Sequence, residues 1–127
     1  MASIVFDASA ILAHLNNEPG SERVASFLGD ALICTVNLAE IVSKLVERGA
    51  SLTLIRSALS RYGLEVALFD EDLAERTGAL RAKTKAFGLS LGDRACLALA
   101  ERSRLPVLTA DRMWKDLGLH IGVQILR

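Results

Sequence analysis

The sequence predicts an α/β fold: a mostly parallel central sheet flanked by helices, with a helical hairpin inserted between strands. Three observations lead there. Five short β-leaning runs occur at residues 3–6, 32–34, 64–68, 107–108 and 123–126. Longer segments with three-to-four apolar periodicity lie between them. Turn-forming residues separate the two kinds, and short strands alternating with helices suit a parallel sheet covered on both faces.

Taken in order, the run 3–6 opens the chain as a strand. Pro19 suits the first turn of a helix running to about residue 28, with Gly29 just past its end. After the strand 32–34, residues 37–48 place Leu38, Ile41, Val42 and Leu45 on one face and stop at Gly49. Ser51 caps the next segment, where Leu52, Ile55, Leu59 and Tyr62 recur at helical spacing before Gly63. These two successive amphipathic helices make the hairpin. From 70 to about 87 the acids Asp70, Glu71, Asp72 and Glu75 come first and Arg81, Lys83 and Lys85 last, matching a helix macrodipole, and Gly88 ends the segment. Residues 90–102 form a further helix with Leu97 and Ala100 inside and Ala98 permitting close packing. No repeat or linker interrupts this pattern, and the only prolines, Pro19 and Pro106, fall at element boundaries. At 127 residues the expectation is a single domain spanning 1–127.

Composition narrows the function classes. Apolar residues make up 51% and charged residues 24%, enough for a core and no case for disorder. Lysine plus arginine equal aspartate plus glutamate at 15 each, so no global charge draws the chain to polyanions and any nucleic-acid contact has to be local. The longest uncharged stretches, 8–17 and 117–126, are ten residues each, short of the ~18 a membrane helix needs. The first basic side chain is Arg23, so the amino terminus lacks a secretory pattern and the expected compartment is the cytoplasm. Cys34 and Cys96, far apart among apolar neighbours, read as buried free thiols.

Four acids, Asp7, Glu40, Asp93 and Asp111, fall at a strand's carboxyl end or near the start of the following helix. In an open parallel sheet those ends share one edge, where ligand crevices form. Each acid has an ordinary explanation. Asp7 and Asp111 suit N-caps, and Asn37-x-x-Glu40 and Ser90-x-x-Asp93 read as capping boxes. Together they suggest more, because gathered carboxylates repel one another until their pKa values rise or a cation neutralises them. An oxygen-only donor set points to Mg²⁺ or Mn²⁺ and away from zinc. His14 and His120 are isolated and read as surface or packed histidines. Ser9, two residues after Asp7, and Thr109, two before Asp111, can orient a carboxylate as supporting groups or simply sit at a helix start; Asn37 has the same ambiguity. Asp116 is turned away from Asp111 if both share a helix.

The ordered blocks Ile4-Val5-Phe6-Asp7-Ala8-Ser9-Ala10, Asn37-Leu38-Ala39-Glu40, Gly88-Leu89-Ser90-Leu91-Gly92-Asp93-Arg94 and Leu108-Thr109-Ala110-Asp111-Arg112-x-Trp114 resemble the signature of PIN-domain ribonucleases. They are similar, more narrowly, to the VapC toxins of toxin–antitoxin pairs. The resemblance implies a PIN-like three-layer fold and metal-dependent endoribonuclease activity that restrains translation or growth. It also implies a homodimer and a VapB-like antitoxin partner. Carried onto this chain, it makes Asp7, Glu40, Asp93 and Asp111 the catalytic and Mg²⁺-site acids, with Mn²⁺ as an alternative ion and Ser9 and Thr109 in support. Residues 48–86 match only in pattern. Arg94, Arg112 and Lys115, beside the acids, are candidates for flanking phosphates or for solvated helix faces. The rival expectation is a non-catalytic PIN-like module that binds RNA or protein, with the acids acting as caps. A receiver or phosphatase domain would want a second acid two residues after Asp7, where Ser9 stands.

Overall fold

The computed structural model describes all 127 residues. Its five strands are β1 (Ile4–Phe6), β2 (Ala31–Cys34), β3 (Glu65–Ala67), β4 (Val107–Thr109) and β5 (Val123–Ile125), in the order β3-β2-β1-β4-β5. Every neighbouring pair is parallel, so the sheet is parallel throughout. Between the strands run α1 (Ala8–Leu15), α2 (Ser21–Ala25), α3 (Thr35–Glu47), α4 (Leu52–Ser60), α5 (Glu71–Thr84) and α6 (Leu91–Ser103). No helix is long and apolar enough to cross a membrane.

Alternation along the strands builds the layers. Side chains in a strand point to opposite faces in turn. Val5, Leu32 and Val107 accordingly join a core beneath α5 and α6, with Leu73, Leu80, Leu97 and Trp114. Ile4, Phe6, Ala31, Ile33 and Leu108 join a second core with α1, Val24, Ile41 and Tyr62 on the other face. The central strands β1, β2 and β4 are buried end to end, while β3 carries exposed residues at the edge. Residues 95–100 of α6 are all buried, because Ala95, Cys96, Ala98 and Ala100 are small enough to let the helix lie between sheet and α5. At the surface Arg102 bonds Asp70 and Asp72, and Arg76 bonds Asp72 and Glu101, tying α5 to α6.

The chain runs from β1 outward through β2 to β3, then returns to the other side of β1 for β4 and β5. The carboxyl ends of β1 and β4 therefore flank a topological switch point, where open α/β sheets place ligands.

Several elements differ from the sequence expectation. The helix expected from Pro19 to about residue 28 contracts to Ser21–Ala25. Gly20 precedes it at φ +92°, and a Cβ there would strike the backbone oxygen of Leu126, so the carboxyl-terminal strand's approach dictates a glycine and delays the helix. Helix α3 starts at Thr35, directly after β2, with Cys34 as its N-cap residue. Asn37 is thus its third residue and forms no capping box with Glu40. The segment from 70 breaks into α5 and a 3₁₀ turn at Lys85–Phe87 before Gly88. The hairpin is as expected, with Ser51 capping α4 through Leu54 N–H. Both cysteines are free and buried, and His14 is packed against Tyr62 with its Nδ1 2.7 Å from the phenol oxygen.

Candidate functional site

Asp7 is the single residue between β1 and α1. Its Oδ1 accepts from Ala10 N–H at 3.0 Å, so the capping role is real. Pairing of Phe6 with Leu108 brings Thr109 alongside. Thr109 Oγ1 donates to Asp7 Oδ2 at 2.6 Å, and Ser9 Oγ donates to Oδ1 at 2.6 Å. The direction of both bonds follows from what each hydroxyl accepts: Ala110 N–H donates to Ser9 Oγ at 2.9 Å and Asp111 N–H to Thr109 Oγ1 at 3.1 Å. Each hydroxyl hydrogen is left for the carboxylate. The β4 backbone and the Asp7 side chain are thereby locked together through two hydroxyls, and Asp7 is 6% exposed.

Burial pushes the Asp7 carboxyl from an ordinary 3.8 up to about 6. The bonds from Ser9, Thr109 and Ala10 pull the other way, and the charge of Asp93 adds to the rise. No cation relieves this. Every ion pair of the protein lies elsewhere, at Arg76, Arg102 and Arg127.

Asp93 sits in the first turn of α6 and closes a reciprocal capping box. Asp93 N–H donates to Ser90 Oγ at 3.1 Å, and Ser90 N–H donates to Asp93 Oδ2 at 3.0 Å. Glu40 reaches across from α3 to the same turn, and its carboxylate lies against the α-carbon of Gly92. Cys96, one turn further along α6, marks the meeting point: its thiol is pushed well up, first by burial and then by the charges of Asp7, Asp93 and Glu40. Three of the four sequence-chosen acids thus bear on one place, with Ser9 and Thr109 beside them.

Asp111 is exposed and caps its own 3₁₀ turn (Arg112–Asp116), Oδ1 accepting from Met113 N–H at 3.0 Å. Only its backbone joins the network, through Thr109. No set of three or more His, Cys, Asp or Glu side chains stands at ligating separation. The physical reason is on hand: both oxygens of Asp7 are held by hydroxyls, Asp93 is held by Ser90, and like charges keep their distance.

Two of the basic candidates are engaged by the fold. Arg94 donates to the Thr77 carbonyl at 3.1 Å, and Arg112 to the Arg127 carbonyl at 2.9 Å. Lys115 is exposed. Sequence reading missed Gly92 and left Asn37 open between a cap and a supporting group. The available signals were a glycine in the first turn of a helix, where propensity disfavours it, and an asparagine between Val36 and Leu38.

Among solved structures, a chain of the toxin–antitoxin complex from Klebsiella pneumoniae matches with a TM-score of 0.77 at 21% identity, covering 98% of this chain and 98% of that one. DNA-bound VapBC from Salmonella typhimurium matches at 0.74 and 22%, covering 100% of both. VapBC-5 from Mycobacterium tuberculosis matches at 0.62 and 25%, covering 100% and 99%. No curated protein matches the sequence significantly. The VapC-type resemblance carried by the four motifs is thus shared by the fold. The profile of the PIN domain matches residues 4–119, nearly the whole length, and the chain belongs to the PIN domain family.

Proposed function

We propose that the protein is a Mg²⁺- or Mn²⁺-dependent endoribonuclease, the toxin of a VapBC-type pair, with Asp7, Glu40, Asp93 and Asp111 as its metal-site acids. The observation that carries this reading is the group of acids at the switch point with no cationic partner, one of them buried and pushed up to about 6. Such a group suits a hard divalent ion in its donor chemistry. Mg²⁺ keeps several waters and takes one or two carboxylates, so a closed cage is not required of the side chains as they stand. An ion held by these acids would supply positive charge that offsets their repulsion of an RNA phosphate and lowers the pKa of a water. The chain's own part is to hold Asp7 in one orientation through Ser9 and Thr109 and to fix Asp93 at a helix start, with Cys96 buried beneath them.

An antitoxin partner and a homodimer belong to the same proposal. An apolar groove between α3 and α4, lined by Leu38, Val42, Leu52, Ile55 and Leu59, suits an amphipathic partner segment. Leu52 and Leu54 stand 46% and 63% exposed at and beside it.

The capping bonds of Asp7, Asp93 and Asp111 favour a second reading, a non-catalytic PIN-like module that binds RNA or protein. Cleavage of RNA by the purified protein separates the two. Asp93→Asn and Asp111→Asn keep a capping oxygen, Glu40→Gln keeps an oxygen for the Asn37 amide, and all three remove a negative ligand. If an ion acts there, a loss of ~3 kcal/mol of transition-state stabilisation slows turnover more than a hundredfold. Cleavage that persists in chelator, or survives in all the folded variants, refutes the nuclease reading.

A further inference from the structure

We infer that Asn37 is a positioning residue for Glu40: its buried amide, acting opposite the bare α-carbon of Gly92, holds the Glu40 carboxylate at the first turn of α6. The inference rests on the proposed metal site and adds to it the device that sets one of its acids.

Asn37 is 1% exposed. Its Nδ2 has two hydrogens and uses both, donating to Glu40 Oε1 at 2.9 Å and to the Gly92 carbonyl at 3.0 Å. Both neighbours are pure acceptors, so the orientation of the amide is dictated by chemistry. The amide therefore joins α3 to α6 and fastens the carboxylate to the joint. Its Oδ1 is buried with no partner in the chain. A buried orphan acceptor weighs against a purely stabilising role.

Gly92 closes the other side. It lies within α6 and is absent from the residues with positive φ, so its backbone does not call for glycine. A Cβ there would lie 2.5 Å from the Glu40 carboxyl carbon and from both its oxygens, the three atoms nearest to it. The missing side chain is the space the carboxylate occupies. Alanine would push aside the end of a flexible side chain and leave the fold intact.

The test is Mn²⁺ affinity, measured by calorimetry without RNA, for wild type, Asn37→Ala, Gly92→Ala, Glu40→Gln and the double variant Asn37→Ala/Glu40→Gln. Asn37→Ala and Gly92→Ala should each weaken binding about tenfold or more, the usual cost of losing a group that orients a ligand. Gly92→Ala should do so with an unchanged or higher melting temperature, because alanine is the better helix former. A merely structural role would move affinity and stability together. In the Glu40→Gln background Asn37→Ala should add nothing. An equal further loss there, or wild-type affinity in Gly92→Ala, overturns the inference while leaving the metal site standing. Should Asn37→Ala fail to fold, Gly92→Ala decides. Wild-type affinity in Glu40→Gln would instead refute Glu40 as a ligand and remove the basis for both.

Discussion

Replacing Asp7 by Asn should stabilise the metal-free protein at neutral pH, and the gain should vanish in acid. The carboxyl titrates at about 6 in the folded chain against an ordinary 3.8. At about 1.36 kcal/mol per tenfold change in proton affinity, that gap means roughly 3 kcal/mol spent on keeping Asp7 charged. Folded protein binds the proton more tightly than unfolded protein does, so stability falls as pH rises. The cost is absent well below 3.8, grows up to about 6 and is complete above it. A salt-bridged aspartate would behave in the opposite sense. Asparagine is nearly isosteric and its Oδ1 still accepts from Ser9 and Ala10, but Thr109 loses the oxygen to which it donates. Charging that loss at about 1 kcal/mol leaves the variant up to about 2 kcal/mol more stable at pH 8, or roughly 8 °C in melting temperature. Near pH 4 the advantage should be gone. Urea denaturation of both proteins in EDTA across this range measures the difference directly. A simple N-cap predicts that Asn is equal or weaker by ~1 kcal/mol at every pH. A pH-independent loss of that kind would refute the account of Asp7 as a strained, uncompensated charge.

Further outcomes follow from the same geometry. Mg²⁺ or Mn²⁺ should raise the melting temperature of wild type by mass action and raise that of Asp7→Asn less; equal shifts place the ion elsewhere. Ser90→Ala removes one half of the reciprocal cap on α6 and should cost about 1 kcal/mol by denaturation; no loss would mean that tertiary packing alone holds the helix start. Leu52→Asp puts a charge at the exposed end of the groove between α3 and α4. It should leave the melting temperature within a few degrees of wild type. It should also weaken a neighbouring-frame antitoxin by roughly tenfold or more, as expected for an apolar contact worth ~1.5 kcal/mol or more. Unchanged affinity would exclude the groove as the docking face.

Much of this architecture was legible in the linear chain because its signals are local. Short β-leaning runs became β1, β2 and β4, three-to-four periodicity became α3, α4 and α6, and Ser51, Asp70 and Ser90 each cap the helix they precede. Boundaries were less legible where a distant segment decides them. Gly20 looks like part of a helix until Leu126 arrives beside it, and Thr35 begins α3 early because β2 ends there against β3. The acids were legible as a set because each falls at a strand's carboxyl end or near a helix start, and Asp7, Glu40 and Asp111 follow strands whose ends a parallel sheet brings to one edge.

What the sequence determined by itself was therefore the inventory: which residue types stand at strand ends, which helices are amphipathic, and the order of the blocks that resemble the PIN signature. What only the tertiary structure decided was which of those groups meet. The hydroxyl of Thr109, 102 residues along the chain, joins that of the sequence neighbour Ser9 on the Asp7 carboxylate because β1 and β4 are neighbours. Asn37, open in the sequence between cap and supporting group, became a buried clamp because α3 packs on α6, and Gly92 acquired its meaning from a carboxylate 52 positions away. Propensity and periodicity are properties of neighbours along the chain. Burial, the elevated proton affinity of Asp7 and the space over Gly92 are properties of neighbours in space, and those come into being only with the packed fold.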